Sequence, residues 1–322
     1  MTAVVRPAWL DPAWLGRAIC YSGYRDGQSP DARVFPSYQQ VREDLVVLAR
    51  HWRLLRLYDC TRHAELVLEV IRRERLDLKV LLGAWLAAEA DNPGCPWGGV
   101  HGAAQLARNV AENGRELERL VDLAGRYPEV VVAVSAGNEA CVDWTDHLVP
   151  PARVVGYVRE LKRRLAQPVT FCENYLPWQS QLSALAAEVD FISIHTYPAW
   201  EAKAPGDSLA FTDQNWRSVA ERHPGKPVIV TEAGWTTRSN GRGVRAEDAN
   251  PANQALYLQA LDAWSRERGI LTFVFEAFDE AWKGAADPLE PEKHWGIFTA
   301  DRRPKPAAQR LSPGLSPTEA DK

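Results

Sequence analysis

Two glutamates, Glu139 and Glu232, each come shortly after a run of apolar residues that is typical of a buried β-strand. A carboxylate in such a place is costly to bury unless it is partnered, which favours a chemical role over a surface one. Two carboxyl groups held about 5–5.5 Å apart can cleave a glycosidic bond with retention, because one protonates the leaving oxygen and the other attacks carbon. The pair therefore predicts acid/base and nucleophilic chemistry on a sugar, provided that the fold brings the two side chains together.

The elements that must position this pair are short apolar runs separated by amphipathic stretches. We predict strands near residues 17–24, 53–60, 78–85, 130–139, 168–174, 189–197, 227–235 and 270–280. Helices are predicted over 38–52, with Ser37 as N-cap, and over 63–75, 103–127, 152–166, 179–187, 213–222 and 251–268. Continuously apolar strands that alternate with helices indicate a parallel sheet covered on both faces.

Eight such units in about 300 residues predict an α/β fold, a single-domain (β/α)8 TIM barrel over residues 1–305. A doubly wound open sheet has the same local signals, and the count of eight favours the barrel. Residues 306–322 are rich in Pro, Ser and Gly and are predicted to be a flexible tail or the stub of a linker.

Polar and aromatic residues end nearly every predicted strand, at the rim where barrel enzymes carry their chemistry. The fourth and seventh strands lie on opposite sides of an eight-stranded barrel, so Glu139 and Glu232 can meet over its mouth. The other strand-end residues are Tyr21, Tyr24, Tyr58, Asp59, Asn138, Glu173, Asn174, His195, Tyr197, Trp235, Asp279, Glu280, Trp282 and Lys283.

Composition and charge exclude several classes of partner. A formal net charge of -4 leaves no basic footprint for nucleic acid. No stretch approaches the ~20 apolar residues that span a bilayer, and the segment from Met1 to Leu15 has no long apolar region, so neither a membrane segment nor a signal peptide is predicted. The cellular location stays open: cytoplasmic for a complete chain, periplasmic or extracellular for an excised domain. The oligomeric state is equally open.

No metal and no cofactor are predicted. The seven histidines lack metal-site spacing, the five cysteines contain no C-x-x-C pair, and no Gly-rich phosphate loop follows the first strand. Buried free thiols are the expected state of the cysteines. A Cys60–Cys95 bridge between neighbouring loops is the alternative that the sequence leaves undecided.

Several motifs, in this order along the chain, resemble one enzyme family. Residues 137–139 (GNE), 231–235 (TEAGW) and 275–283 (FEAFDEAWK) resemble the signatures of glycoside hydrolase family 17, the β-1,3-glucanases and β-1,3-glucanosyltransferases. Residues 55–59 (LRLYD) and 295–298 (WGIF) also match, and 21–30 (YSGYRDGQSP) is similar to the bacterial branch. The resemblance covers roughly residues 16–305.

The resemblance implies a role for each matching position. Glu139 would be the acid/base and Glu232 the nucleophile of a retaining mechanism with a covalent glycosyl-enzyme intermediate. Asn138 would bind the 2-hydroxyl of the cleaved sugar, and Tyr197 would orient the nucleophile. Residues expected to bind a β-glucan oligosaccharide or polysaccharide are Tyr21, Tyr58, Asp59, Trp235, Glu280, Trp282 and Lys283. No cofactor is implied.

Alternatives remain at this point. A β-glucanosyltransferase that elongates or branches glucan would use the same covalent step with a sugar as the acceptor. A non-catalytic glucan-binding barrel would normally lose one of the two carboxylates, and an isomerase or aldolase would need a Schiff-base lysine, a metal cluster or a phosphate loop. Exo or endo attack and chain-length preference are not readable from the sequence. Glu280 and Lys283 could form only a surface ion pair, and His195 could be structural rather than a proton shuttle.

Overall fold

A computed structural model describes residues 3–312 of the chain. Within them, eight parallel strands pair in sequence order and β8 closes back onto β1. This confirms the predicted single-domain (β/α)8 barrel. The strands are β1 (Ala18–Cys20), β2 (Leu54–Leu57), β3 (Lys79–Gly83), β4 (Val131–Asn138), β5 (Val169–Asn174), β6 (Ile192–Thr196), β7 (Val228–Gly234) and β8 (Thr272–Phe275).

The helices surround this barrel and follow the predicted alternation. They are α1 (Tyr38–Leu48), α2 (Arg62–Arg73), α3 (Ala103–Arg126), α4 (Pro151–Arg164), α5 (Tyr175–Gln179), α6 (Ser183–Glu188), α7 (Ser208–Arg222), α8 (Pro251–Arg268) and α9 (Pro306–Leu311). Ser37 caps α1 in a capping box with Gln40, as its position predicts. In the part of the chain that the structure describes, no helix is both long and apolar enough to span a bilayer.

The strand pairing becomes irregular close to the chemically interesting residues. The register shifts between Ser135 and Asn138 in the β4–β5 pair, and between Ile194 and His195 in the β6–β7 pair. A third shift lies between Val230 and Ala233, where β7 pairs with β8. Such irregularities change the direction in which a strand side chain points and are common next to active sites. They occur where the strands deliver Asn138, His195 and Glu232.

The first part of the C-terminal segment is helical. The predicted tail starts at residue 306, but its first part forms α9, which packs against α8 and buries Ala307 and Ala308. Residues 313–322 of the predicted tail lie outside the described residues.

All five cysteines are free and buried, so the Cys60–Cys95 bridge is not formed.

Candidate active site

Glu139 directly follows β4 and has an unusual backbone conformation. Its φ is +43°, in the left-handed region that residues other than glycine seldom adopt. Its backbone N–H donates to the carbonyl oxygen of Cys172 on β5 at 2.9 Å, which ties this turn to the barrel. Backbone strain of this kind concentrates at functional sites. The turn leaves the side chain of Glu139 29% exposed at the mouth.

Glu232 lies inside β7 and is almost fully buried. One carboxylate oxygen accepts a hydrogen bond from the Arg56 guanidinium and the other accepts one from the Tyr197 hydroxyl. Burial raises the pKa of Glu232, but the positive charges of His195 and Arg56 and these two hydrogen bonds outweigh it, so the pKa is held below its usual range. Glu232 is therefore ionised near neutral pH, as a nucleophile must be.

His195, on β6, lies between the two carboxyl groups. Its Nδ1 is 2.7 Å from Oε1 of Glu139 and 3.5 Å from Oε2 of Glu232, and the ring is completely buried. Burial lowers the pKa of His195, but the negative charges of Glu232 and Glu139 raise it to about 10. The ring therefore carries a positive charge near neutral pH, which favours a fixed charge over a proton shuttle.

The same three residues form the group that offers metal ligands. Glu139, His195 and Glu232 each present one ligand atom, and these atoms lie within 4.8 Å of one another. In this structure the His195 ring lies between the two carboxyl groups, and its Nδ1 is the atom nearest to both.

Arg56, on β2, connects Glu232 with Asn138, the residue before Glu139. It is 1% exposed, and its guanidinium donates through Nη1 to Glu232 and through Nη2 to Oδ1 of Asn138. A charge buried this deeply is strongly destabilising unless it is paired, and here two partners pair it. The sequence motif contains Arg56 without revealing this role. The signal that could have found it is a lone arginine inside the otherwise apolar strand LLRL.

Two tyrosines lie close to Glu232 and Arg56. The ring of Tyr197 packs edge-on against Phe275 and Trp295, with centroids 5.4 Å and 5.1 Å away, and this packing holds its hydroxyl against Glu232. The ring of Tyr58 lies 4.3 Å from the Arg56 guanidinium. Its hydroxyl is buried next to the Cys20 thiol, so contact of Tyr58 with a sugar stays a prediction.

A second polar cluster lies after β8 and includes three predicted binding residues. Lys283 Nζ is 2.6 Å from Glu276 and 2.7 Å from Glu280, and the indole N–H of Trp282 donates to Glu280 at 2.9 Å. Glu280 is fully buried, so the alternative of a surface ion pair is wrong. Lys283 Nζ also lies 4.8 Å from the centroid of the Phe275 ring, which Tyr197 contacts from another side. The cluster is therefore linked to Glu232 through Phe275 and Tyr197.

Glu276 in this cluster is a residue that sequence reasoning missed. Burial, opposed by Lys283 and reinforced by Glu280, holds the pKa of Glu276 well above its usual range. Lys283 is the ammonium group that pairs with both of these buried carboxyl groups. The Glu276 atom Oε1 has no partner among the described residues. The signal for this residue is its place directly after the last apolar strand.

Trp235 is expected from the sequence to bind substrate, but the structure buries it. It has no exposed surface, its indole N–H donates to the carbonyl oxygen of Asp248 at 2.9 Å, and its ring packs against Tyr257 of α8. A sugar needs an accessible ring face, so the structure places Trp235 in the core rather than in a binding groove.

Tyr21 and Asp59 make local contacts. The buried Tyr21 hydroxyl donates to Asp44 at 3.1 Å. Asp59 accepts from the backbone and the hydroxyl of Thr61, at 2.9 Å and 2.7 Å, and so shapes the turn into α2. Contact of either residue with a sugar stays a prediction.

Comparison with known proteins shows which family the chain matches. The model of a family described as the BtgE/BtgC glycoside hydrolase domain matches residues 18–296. Glucan endo-1,3-beta-glucosidase btgC of Emericella nidulans is 25% identical over 300 residues, which are 85% of this chain and 42% of that protein. The chain spans about 40% of the length of the curated relatives it matches.

Solved structures resemble the whole barrel. An endo-laminarinase from Formosa Hel1_33_131 superposes with a TM-score of 0.78 at 26% identity, over 95% of this chain and 91% of that chain. A glycoside hydrolase family 17 beta-1,3-glucanosyltransferase from Rhizomucor miehei gives a TM-score of 0.71 at 20% identity, over 91% of this chain and 97% of that one. At that identity, the second likeness shows the fold alone.

Proposed function

The chain belongs to the BtgE/BtgC glycoside hydrolase domain family, and from that premise we propose that it cleaves or transfers β-1,3-glucan with retention of configuration. The observation that carries the proposal is the arrangement of Glu139, His195 and Glu232. An ionised, buried carboxylate and a more exposed carboxyl group lie on either side of one imidazolium. Their ligand atoms lie within 4.8 Å of one another, which suits the short carboxyl separation of retaining enzymes.

In the first step, an oxygen of Glu232 attacks the anomeric carbon while Glu139 donates its proton to the glycosidic oxygen. The bond from that carbon to the leaving sugar breaks, and a glycosyl ester forms on Glu232. In the second step, Glu139 takes a proton from an incoming hydroxyl group, which attacks the same carbon and releases Glu232 as a carboxylate. Tyr197 and Arg56 each hold one oxygen of the nucleophile, so its orientation is set before substrate arrives.

The substrate class rests on the relatives. Their names describe an endo-1,3-β-glucosidase and an endo-laminarinase, which act on β-1,3-linked glucan. Trp282 and Lys283, which are partly exposed beside the buried Glu276 and Glu280, are the members of the cluster after β8 that can meet a sugar. Asn138 directly precedes Glu139, and we propose that its amide binds the 2-hydroxyl of the cleaved sugar.

The identity of the acceptor is tested by the products formed from β-1,3-linked gluco-oligosaccharides. Products longer than the substrate, increasing with substrate concentration, would identify a β-glucanosyltransferase. Only shorter products at every concentration would identify a hydrolase. A non-catalytic glucan-binding barrel would leave the oligosaccharide intact, and that result would overturn the proposal.

The covalent step has a separate test. A 2-deoxy-2-fluoro-β-laminaribiosyl fluoride should label the protein by one disaccharide, and peptide mass spectrometry should find the label on Glu232. The matched control is Glu232→Gln, which should take up no label. A label on any other residue, or inversion at the anomeric carbon of the first-formed product, would contradict the retaining mechanism.

A further inference from the structure

Trp85 is a prominent residue of the barrel mouth that the catalytic mechanism does not use. It follows the end of β3 and is 43% exposed, although tryptophan has a large apolar surface whose exposure to water is unfavourable. Trp235, by contrast, also follows a strand and is fully buried. An exposed indole at the rim of an active site marks a surface that a ligand could cover.

A short chain of contacts joins Trp85 to the strand that carries the acid/base. Its ring packs against the ring of His147, with centroids 4.7 Å apart and planes inclined by 34°. Nε2 of His147 donates to the carbonyl oxygen of Asn138 at 3.0 Å, and Asn138 directly precedes Glu139. A single imidazole ring therefore separates the indole from the end of β4.

The backbone that carries the indole and the imidazole that packs against it are both held by hydrogen bonds. The backbone N–H of Trp85 donates to Oε1 of Glu116 on α3 at 3.2 Å, and the same oxygen accepts from Cys60 at 2.7 Å. Nδ1 of His147 lies 2.7 Å from Oδ1 of Asp146. A platform that is fixed before the ligand arrives loses little conformational entropy on binding.

We propose that the indole of Trp85 is the stacking surface for the glucosyl residue on the leaving-group side of the scissile bond. This residue departs in the first step, and in transfer an acceptor sugar occupies the same place. The inference rests on the proposed function. Glu139 must touch the glycosidic oxygen, so the sugar beyond that oxygen lies on the side of β4. Trp85 flanks β4 and is across the barrel from β7 and the nucleophile. A pyranose presents a face of C–H groups that suits an aromatic ring.

Two substrates that differ on the leaving-group side distinguish sugar stacking on Trp85 from the chemical step. A β-1,3-linked glucopentaose has a sugar on the leaving-group side, whereas β-laminaribiosyl fluoride has only fluoride there. In Trp85→Ala, kcat/KM for the pentaose should fall about 5- to 10-fold, mainly through KM, since stacking contributes on the order of 1 kcal/mol. The kcat/KM for the fluoride should stay unchanged, and Trp85→Phe should keep most of the activity on the pentaose.

The matched control is Trp97→Ala, which removes another indole, 65% exposed, from the loop that follows β3. This variant should cleave both substrates like the wild type. The inference is overturned if Trp85→Ala lowers both rates in proportion, if it leaves the pentaose unaffected, or if Trp97→Ala has the same effect. If the wild type cleaves both substrates and Trp85→Ala cleaves the pentaose equally well, the stacking role of Trp85 is contradicted and the proposed function is not. A wild-type protein that cleaves neither substrate contradicts the proposed function and the platform with it.

Discussion

The ends of β4 and β7 each present a glutamate to the barrel mouth, yet their surroundings differ. The Glu139 side chain is 29% exposed and has His195 as its close charged neighbour, whereas Glu232 is 6% exposed by the same measure and is also held by Arg56 and Tyr197. One carboxyl group is open to the mouth, and the other is held in place by two hydrogen bonds. In the proposed mechanism, this difference in environment gives two chemically identical side chains different roles.

Replacement of Glu232, on β7, should cause the largest loss of catalytic activity. Glu232→Ala eliminates the atom that attacks carbon, so kcat for glucan cleavage should fall by about 10⁴-fold or more. Added azide should restore turnover of β-laminaribiosyl fluoride by attacking from the vacated side, giving the α-glycosyl azide. Reducing-sugar release and NMR of the azide product check both points. Undiminished cleavage by this variant would remove Glu232 from the mechanism.

Removal of the proton donor at β4 should have a smaller effect that depends on the leaving group. In Glu139→Ala, glucan cleavage should fall by about 10²- to 10⁴-fold, because the sugar oxygen needs a proton in order to depart. Formation of the glycosyl-enzyme from β-laminaribiosyl fluoride should be far less affected, since fluoride leaves with little assistance. Fluoride release in the first turnover measures this step. Equal losses on both substrates would contradict the assignment of Glu139 as acid/base.

The positive charge of His195, between the two carboxyl groups, should set the pH below which kcat/KM falls. In His195→Gln the amide can still donate a hydrogen bond, but the positive charge that lowers the pKa of Glu232 is lost. The pKa of Glu232 should rise, so the acidic limb of the kcat/KM profile should move to higher pH. An acidic limb at the wild-type position, with only the maximal rate changed, would show that His195 acts through packing alone.

A third carboxyl group, at the end of β5, should affect stability more than activity. Glu173 is fully buried and accepts the N–H groups of Cys141 and Asn174, both at 2.7 Å. Burial, reinforced by the charge of Glu139, raises the pKa of Glu173 to about 8. Its folded-state pKa is above the ordinary value, so its contribution to stability is present below about pH 4.5 and is lost as the pH rises through about 8.

Glu173→Gln should remove that pH dependence. The free energy of unfolding, measured by urea denaturation, should fall less between pH 4.5 and 8 in the variant than in the wild type. The variant should be less stable by about 1–3 kcal/mol at low pH, because the amide accepts fewer hydrogen bonds than the carboxyl group. Parallel curves for the two proteins would mean that Glu173 is ionised throughout this range.

The fold was predictable because its signals are local. Each strand is a short apolar run, and a boundary such as the capping box of Ser37 and Gln40 lies within one turn of helix. The first part of the predicted tail was the exception, since α9 is short and is stabilised by Ala307 and Ala308 against α8. Small apolar residues in a proline-rich context do not reveal such packing in advance.

The candidate site was predictable only where its residues end strands. Glu139 and Glu232 stand out by position, and their separate roles came from a family resemblance. The partners of Arg56 are 82 and 176 residues away along the chain, and no local pattern reveals them. Trp85 and Trp235 follow strands in similar contexts, and only the elements packed around them decide which one is exposed.

The buried Arg56 has a further consequence for how the protein acquires activity during folding. Its guanidinium joins β2 to residues of β4 and β7, so the nucleophile is held correctly only after strands far apart in sequence have met. Contacts between distant parts of a chain form late, because closing long loops is entropically costly. Helical content and compactness can therefore recover before the barrel has closed. In a refolding experiment, the time course of recovered catalytic activity would therefore report when the barrel closes.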